Sequence, residues 1–420
     1  MSRAWQRVAP PRVGLFGLFG SNNIGNDGSL EVVLTHLRER HPDAALDCLC
    51  SGPASVAARY GIATTPLYWH LVREQSGGRL TRMTVKIVGK VLDSVRILRW
   101  VRRQDVVIVP GTGALETTLP LRPWGFPFSL FLLCLFARLT GTKVALLNVG
   151  VSVIRQRTIR WLCRSAARLA HYRSYRDPLS RDSMREMGVD TSADDVYPDL
   201  AFALPAPTAA PARGTVGVGV MDFHGSNDDR RRADEIHQSY VDAVKRFVRW
   251  LVDEGRRVRL FTGDAVDQHV VREILDDVRE HRPGLDPSTV VAEPLSTLVD
   301  LMRQMAEVDV VVGTRYHNVV SGLKLAKPTI SLSYAEKNDR VMADMGLAGY
   351  CQDARTVDVD VLIAQFTALE QRASRLRPAM VKRVAAKVAA LEHQFELLSV
   401  TLLSGGERVP EVAPTVPGLP

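Results

Sequence analysis

The stretch Val310–Lys337, VVVGTRYHNVVSGLKLAKPTISLSYAEK, decides how this chain is read. A valine run of the kind that fills a buried strand (Val308–Val312) gives way to the turn Gly313–Asn318 and the start of a helix. A second apolar run, Thr329–Leu332, follows as the neighbouring strand, with Tyr334 and Lys337 in its exit loop. Strand, helix and strand in that order make a parallel unit, and ligands of such sheets bind where strands end. Arg315, His317 and Lys337 are therefore expected to converge at one end of one sheet. A guanidinium grips phosphate or carboxylate through two bonds, and a helix start adds a favourable dipole. His317 titrates near neutrality and is the candidate for moving a proton. The structural alternative is a capping arginine, a core histidine and a solvated lysine.

The same alternation extends through both halves. Strands are expected at Val13–Gly17, Leu46–Leu49, Val106–Val109 and Val144–Asn148, with helices at Ser29–Arg40, Phe128–Leu139 and Thr158–Ala170. After the proline- and alanine-rich ALPAPTAAPARG (Ala203–Gly214), the rhythm restarts. Strands are then expected at Val216–Met221, Arg257–Phe261, Val290–Ala292, Val308–Val312 and Thr329–Leu332, with helices at Gln238–Glu254, Val266–Glu280 and Leu295–Met305. The expected organisation is α/β: a Rossmann-like domain over 1–204, a linker over 205–213 and a second Rossmann-like domain over 214–356, both doubly wound and facing a cleft. C-terminal helices over 357–403, broken near Pro378, cross back onto the first domain, and 404–420 form a disordered tail.

Composition narrows the partners. The 420 residues are 46% hydrophobic with a formal net charge of +8, which provides ample core and favours anionic ligands or an anionic lipid surface. The basic clusters Arg99–Arg103 and Arg230–Arg232 match no recognition-helix pattern, so no nucleic-acid partner is expected. Five scattered cysteines argue for a reducing compartment and against a disulfide framework; Cys48 and Cys50 lack a second pair at zinc spacing, and no metal site is expected. The N-terminus lacks the uninterrupted apolar run of a signal peptide, and the segment from Gly125 to Leu139 is too short to span a bilayer before Arg138 interrupts it. The expected location is the cytoplasm, with peripheral attachment to the inner face of its membrane compatible with the charge.

Three further strand exits stand out. GLFGSNNIGNDGSLE, after the first strand, offers glycines for close backbone approach and Asn22, Asn23, Asn26 and Asp27 for hydrogen bonds to a sugar, with Ser29 leading a helix. Its spacing is not that of a dinucleotide fingerprint. PGTGALE, Pro110–Glu116, is a second small-residue loop. In YRSYRDPLS, Arg176 and Asp177 follow a short semi-apolar run, either as a site or as a surface ion pair.

Taken together, these blocks resemble the polysaccharide pyruvyl transferase family over about Val13 to Tyr350. The likeness rests on GSNNIGNDGSLE, VVIVPGTGAL, YRSYRDPLS with YPDLAF, and most of all GTRYHNVVSGLKLAKPTISLSYAEK, which is similar to the family's G-x-R-x-H…G-x-P…Y-x-x-K signature. The resemblance implies a glycosyltransferase-B-like fold and transfer of pyruvate from phosphoenolpyruvate to two hydroxyls of a sugar or lipid-linked oligosaccharide, as a cyclic ketal. It implies donor contacts from Arg176, Arg315 and Lys337, with His317 as general acid or base, and no metal or redox cofactor. Three departures matter: Gly25-Asn26-Asp27-Gly28 leaves Asp27 or Glu31 as the acidic candidate on the acceptor side, NVGVS (Asn148–Ser152) lacks the usual Gly-Pro ending, and PDLAF reverses the usual order around Asp199. Two other readings stay open: a nucleotide-sugar glycosyltransferase or epimerase of the same fold, and a non-catalytic protein of glycan assembly.

Overall fold

The computed structural model describes residues 10–69, 79–111, 113, 115–116, 122–207 and 214–403. The first half runs β1 (Arg12–Gly17), α1 (Ile24–Arg40), β2 (Ala45–Cys50), α2 (Pro53–Tyr60), β3 (Ala63–Pro66), α3 (Arg79–Val101), β4 (Val106–Pro110), α4 (Phe126–Thr140), β5 (Lys143–Val149), α5 (Arg157–Leu169), β6 (Tyr172–Tyr175), α6 (Pro178–Glu186) and β7 (Asp195–Val196). The second half runs β8 (Thr215–Gly219), α7 (Ala233–Asp253), β9 (Arg257–Phe261), α8 (Gln268–His281), β10 (Val290–Val291), α9 (Leu298–Ala306), β11 (Val310–Gly313), α10 (Tyr316–Lys324), β12 (Thr329–Ser333), α11 (Glu336–Asp344), β13 (Cys351–Asp353) and α12 (Val359–Leu398).

Among the described residues two sheets form, in the orders β3-β2-β1-β4-β5-β6-β7 and β10-β9-β8-β11-β12-β13. Every strand pair is parallel, so both faces must be covered, and the sequence supplies the side chains for it. On β4, Val106 and Ile108 enter one core while Val107 and Val109 enter another on the opposite face. Strand order reverses between β1 and β4 in the first sheet and between β8 and β11 in the second. These switch points are where open α/β sheets leave a crevice for ligands.

The two crevices face each other. Ile24 at the start of α1 donates its amide to the Gly263 carbonyl of the second domain at 3.3 Å. Gly25 lies against the ring of His317 so closely that a Cβ there would overlap the imidazole, and a Cβ at Gly28 would strike Leu298 of α9. The expected start of this helix at Ser29 is therefore corrected to Ile24. Asn23 caps it by accepting from the Asn26 amide at 3.2 Å, and the two weak helix formers, Gly25 and Gly28, are retained because a neighbouring domain occupies the space of their side chains.

A second correction concerns the C-terminal helix, which shows no break near Pro378: α12 runs unbroken through it for 40 residues. A proline inside a helix costs about 3 kcal/mol through a lost hydrogen bond and ring crowding. Burial on either side offsets this cost. Leu362, Phe366 and Leu369 pack into the second domain, with Arg256 gripping Glu370 through two bonds of 2.8 Å. Beyond the proline, Gln394 donates to Asn148 at 2.6 Å and Phe395 stacks on His36, so the helix does cross back onto the first domain. Most of the expected linker, 208–213, and the expected disordered tail, 404–420, lie outside the described residues.

Leu391 is fully buried at the first-domain end of α12. Leu391→Ala is expected to lower unfolding stability by about 2–5 kcal/mol. Chemical denaturation checks it; a loss below about 0.5 kcal/mol, as for an exposed position, would mean that this end of the helix is not docked.

Candidate active site

Four side chains from the ends of β4, β6, β11 and β12 meet across the cleft. Glu116, in the loop after β4, is buried and accepts from Lys337 Nζ at 2.6 Å and from the Arg176 guanidinium. Lys337 comes from the first turn of α11, so this carboxylate joins the two domains. Arg176 follows β6 directly, and its neighbour Asp177 caps α6 by accepting from the Ser180 amide at 2.6 Å. The pair forms because residue 150 is glycine: a Cβ there would collide with the Glu116 carboxylate and the Arg176 guanidinium. NVGVS, which departs from the family pattern, thus supplies the small residue that the cluster needs.

Tyr316 forms the floor of this cluster. The Arg176 guanidinium stands 4.5 Å from its ring centroid and Lys337 Nζ 5.3 Å, with Tyr334 a further 5.0 Å from the lysine. Arg176 is enclosed by carboxylates, since Asp177 lies at 3.4 Å and Asp199 at 3.8 Å. Asp199 also caps the short 3-10 helix Leu200–Ala203 by accepting from the Ala201 amide at 2.9 Å. The cavity lined by Arg176, Asp199, Tyr316, Lys337 and Lys387 measures about 20 Å³, room for little more than a water molecule.

His317, in the first turn of α10, sits between this cluster and the start of α1. Its Nε2 lies 4.0 Å from Asp199 Oδ1 and, among the described residues, has no hydrogen-bond partner although it is buried. Burial lowers its pKa to about 4, with Arg176 and Lys337 pressing in the same direction and Asp199 opposing. The ring is therefore neutral at pH 7 and has a free nitrogen. Burial alone would raise the pKa of Glu116, but Arg176 and Lys337 outweigh it and bring that carboxyl to about 2.

Arg315 stands beside the cluster and holds a different partner. Its Nε and Nη2 meet the two carboxylate oxygens of Asp267 at 2.9 and 2.6 Å. Asp267, wholly buried, also accepts backbone amides from Asp222, Gly263 and Asp264. On the first-domain side, Asn22 is exposed with a φ of 67°, and Asn23 and Asn26 lie at the start of α1, the Asn23 amide 3.5 Å from Asp264. Asp27 faces its own domain: it accepts from the Gly20 amide at 2.7 Å and from Arg59 at 3.1 Å, and burial raises its pKa against both. Glu31 is half-buried with its carboxyl likewise raised by burial.

The structure thus gathers Arg176, His317 and Lys337 at one point, sets Arg315 next to them, and places Asn23 and Asn26 at the facing helix start. Reading the sequence missed Glu116, Tyr316 and Asp267. Glu116 ends a glycine loop that had been noted, but a lone carboxylate there carries no pattern, and Asp267 is 48 residues from the arginine it holds.

The model of the polysaccharide pyruvyl transferase family matches residues 23–336, a span that includes Glu116, Arg176, Arg315 and His317 and ends one residue before Lys337. The chain belongs to this family. No curated protein matches the sequence. Among solved structures, the chain is similar to Anabaena Alr3699/HepE in complex with UDP and glucose, at 12% identity and a TM-score of 0.54 over 92% of this chain and 99% of that one. It is also similar to S. aureus MnaA with UDP (11% identity, TM-score 0.57, 95% and 99% covered) and to the UDP-GlcNAc 2-epimerase from Neisseria meningitidis bound to UDP-GlcNAc (10%, 0.55, 93% and 99%). At such identities the likeness is one of fold, the two-domain architecture of glycosyltransferase-B enzymes, and the family match is what places a transferase acting on polysaccharide on that fold.

Replacing Glu116 by Gln strips two buried cations of their carboxylate and is expected to cost about 3–5 kcal/mol at pH 7. Because the folded-state pKa lies below the ordinary carboxyl value of about 4.5, the Glu116 contribution is fully present above that pH and is lost as pH falls through about 2. Stability of wild type and Glu116→Gln, measured by denaturation from pH 7 downward, should therefore converge in that window; a constant gap would refute the pairing.

Proposed function

We propose that this protein transfers pyruvate from phosphoenolpyruvate to two hydroxyls of one sugar in a cell-surface glycan, forming a cyclic ketal and releasing phosphate. The observation that carries the reading is the buried meeting of Arg176 and Lys337 beside a neutral, unpartnered His317, at facing switch points of two parallel sheets. Phosphoenolpyruvate carries phosphate and carboxylate on one small frame, and the cations that suit it are gathered here. Among the described residues Asp267 takes only Nε and Nη2 of Arg315, which leaves Nη1 for a ligand.

In this reading His317 takes the proton of the attacking hydroxyl. His317 passes that proton to the methylene carbon of the donor, which becomes a methyl group as the first sugar oxygen bonds to C2, and the bond from C2 to the phosphate oxygen then breaks. The second hydroxyl then closes the ketal, its proton leaving with phosphate, so no oxidant, reductant or metal enters the balance. Arg176 and Lys337 stabilise the departing phosphate. A bound polyanion raises the pKa of His317, so donor binding itself prepares the imidazole to hold a proton. In this reading the domains part to admit the donor, since among the described residues the cavity beside Arg176 and Lys337 measures about 20 Å³. Asn22, Asn23 and Asn26 line the acceptor side.

Calorimetry with phosphoenolpyruvate and with UDP tests the reading. Selective binding of phosphoenolpyruvate, lost in Arg176→Ala and Arg315→Ala, is expected, with His317→Gln retaining binding while phosphate release falls about 10²–10⁴-fold. The acid limb of kcat/KM should fall near pH 4 in place of the ordinary 6.5 of histidine. Binding of UDP alone would replace this donor with a nucleotide sugar.

The acceptor reading extends to a lipid surface. No helix among the described residues is long and apolar enough to cross a membrane. However, Val88, Val91, Leu92 and Val95 make an exposed stripe along α3, and Trp124, Leu139 and Trp161 are exposed around α4 and α5. Exposed arginines, Arg138, Arg155 and Arg157, lie on the same pair of helices or beside them. Exposed apolar side chains accompanied by arginines fit the interface of an anionic bilayer. Co-flotation with phosphatidylglycerol vesicles, weakened by salt and by Val91→Glu, is expected; absence of flotation at low salt would remove the membrane from the reading.

A further inference from the structure

Away from the cation cluster, the second domain gathers three histidines around one carboxylate. Asp222 lies in the loop after β8, His224 two residues later, His237 in the first turns of α7, and His269 at the start of α8. Asp222 Oδ1 is 2.8 Å from His224 Nε2, 3.2 Å from His269 Nε2 and 3.4 Å from His237 Nδ1. The rings of His224 and His237 stack at 4.3 Å and 7°, and His237 and His269 lie 5.9 Å apart at 26°.

One carboxylate oxygen has two lone pairs and cannot satisfy three imidazole nitrogens well. The misfit has a visible residue: His237 Nδ1 is buried and has no properly formed hydrogen bond among the described residues. Protonating the stacked rings to suit the carboxylate would set like charges face to face. A single cation beside the Asp222 oxygen relieves both problems, because it gives the carboxylate a counter-charge and lets a ring nitrogen with no hydrogen bond serve as a ligand once the rings tilt toward it. Ligand atoms bound to one ion at about 2.0–2.2 Å stand about 3.3–3.6 Å apart in a tetrahedron; the spacings around Asp222 are 2.8–3.4 Å. In two overlapping triads, Asp222–His224–His237 and His237–His269–Glu273, the ligand atoms lie within 4.8 Å of one another.

We propose that Asp222, His224 and His237 bind one divalent transition-metal ion whose shell water completes, with His269 beside it, its Nε2 3.2 Å from the same Asp222 oxygen. Imidazole-rich ligands with one carboxylate suit zinc, nickel or cobalt, and not magnesium or calcium, which require oxygen. His224 and His269 are partly exposed, so the ion enters from solvent. Its place in the fold gives it a task. The backbone amide of Asp222 donates to Asp267 Oδ1 at 3.0 Å, and Asp267 holds Arg315. A bound ion ties the loop after β8 to α7 and so stiffens the wall behind Arg315. It takes no part in the chemistry at the cleft.

Untagged protein stripped with EDTA is titrated with Zn²⁺ by calorimetry and with Co²⁺ by visible absorption. The expected result is one equivalent bound, a cobalt band of the intensity given by four or five ligands, and a rise in Tm reversed by EDTA. Losing a ligand should cost at least the ~10–100-fold in affinity that losing a supporting outer contact does, so His224→Ala, on an exposed loop, and His237→Ala both weaken binding at least that far. His281→Ala, whose ring faces Asp253 instead, leaves it unchanged. Circular dichroism of the variants matching wild type separates loss of a ligand from loss of fold. No stoichiometric binding by wild type, or wild-type affinity in both His224→Ala and His237→Ala, overturns the proposal.

Discussion

The carboxylate of Glu116 is the point on which the cleft depends. It comes from the first domain, neutralises Arg176 of the same domain, and reaches Lys337 of the second. Without it, a guanidinium and an ammonium would share one aromatic floor in a buried space, where charge repulsion is little screened. Glu116 is the anion of the cluster: it holds the cations charged and close together. On the proposed reading, an incoming anion displaces this carboxylate by offering the cations a better counter-charge. Arg315 repeats the device on a smaller scale with Asp267, which is itself fixed by three backbone amides.

Close backbone approach is the second condition. Gly25 makes room for the imidazole of His317, Gly28 for Leu298, and Gly150 for the Glu116–Arg176 pair. At each of these positions a methyl group would push apart the elements that carry the site. The glycines near the first strand therefore serve the opposite domain as much as their own turn. This also explains why α1 tolerates two of them in its first two turns: what the helix loses in propensity it regains by packing against α9 and α10.

The architecture was legible because parallel strands buried on both faces leave near-continuous apolar runs, as in Val106–Pro110 and Val310–Gly313, and because the chain restarts the same rhythm after Ala203. The convergence of Arg315, His317 and Lys337 followed from their places after strands, with no need of distances. The partners of those residues had no such marker. Glu116 and Asp267 are single carboxylates whose meaning arises only when sheets from two domains, or two loops of one, are brought together. The start of α1 was misplaced because glycine counts against a helix locally, and the continuity of α12 through Pro378 because proline does. In both places tertiary packing overrode a local preference. The histidines of the second domain, separated along the chain by up to 45 positions between 224 and 269, likewise show no ligand spacing until α7 and α8 are folded.

The chain passes between the domains twice, once after the Leu200–Ala203 turn and once along α12. A rod of 40 residues, about 60 Å long and anchored to different bodies at its two ends, resists sliding of one domain past the other. Bending is the freedom that remains. Pro378 lies at the midpoint of the rod, where its missing amide removes one rung of the hydrogen-bond ladder and makes the helix most compliant. The residue that a local reading takes for an interruption thus stands where the rod joining the two domains is easiest to bend.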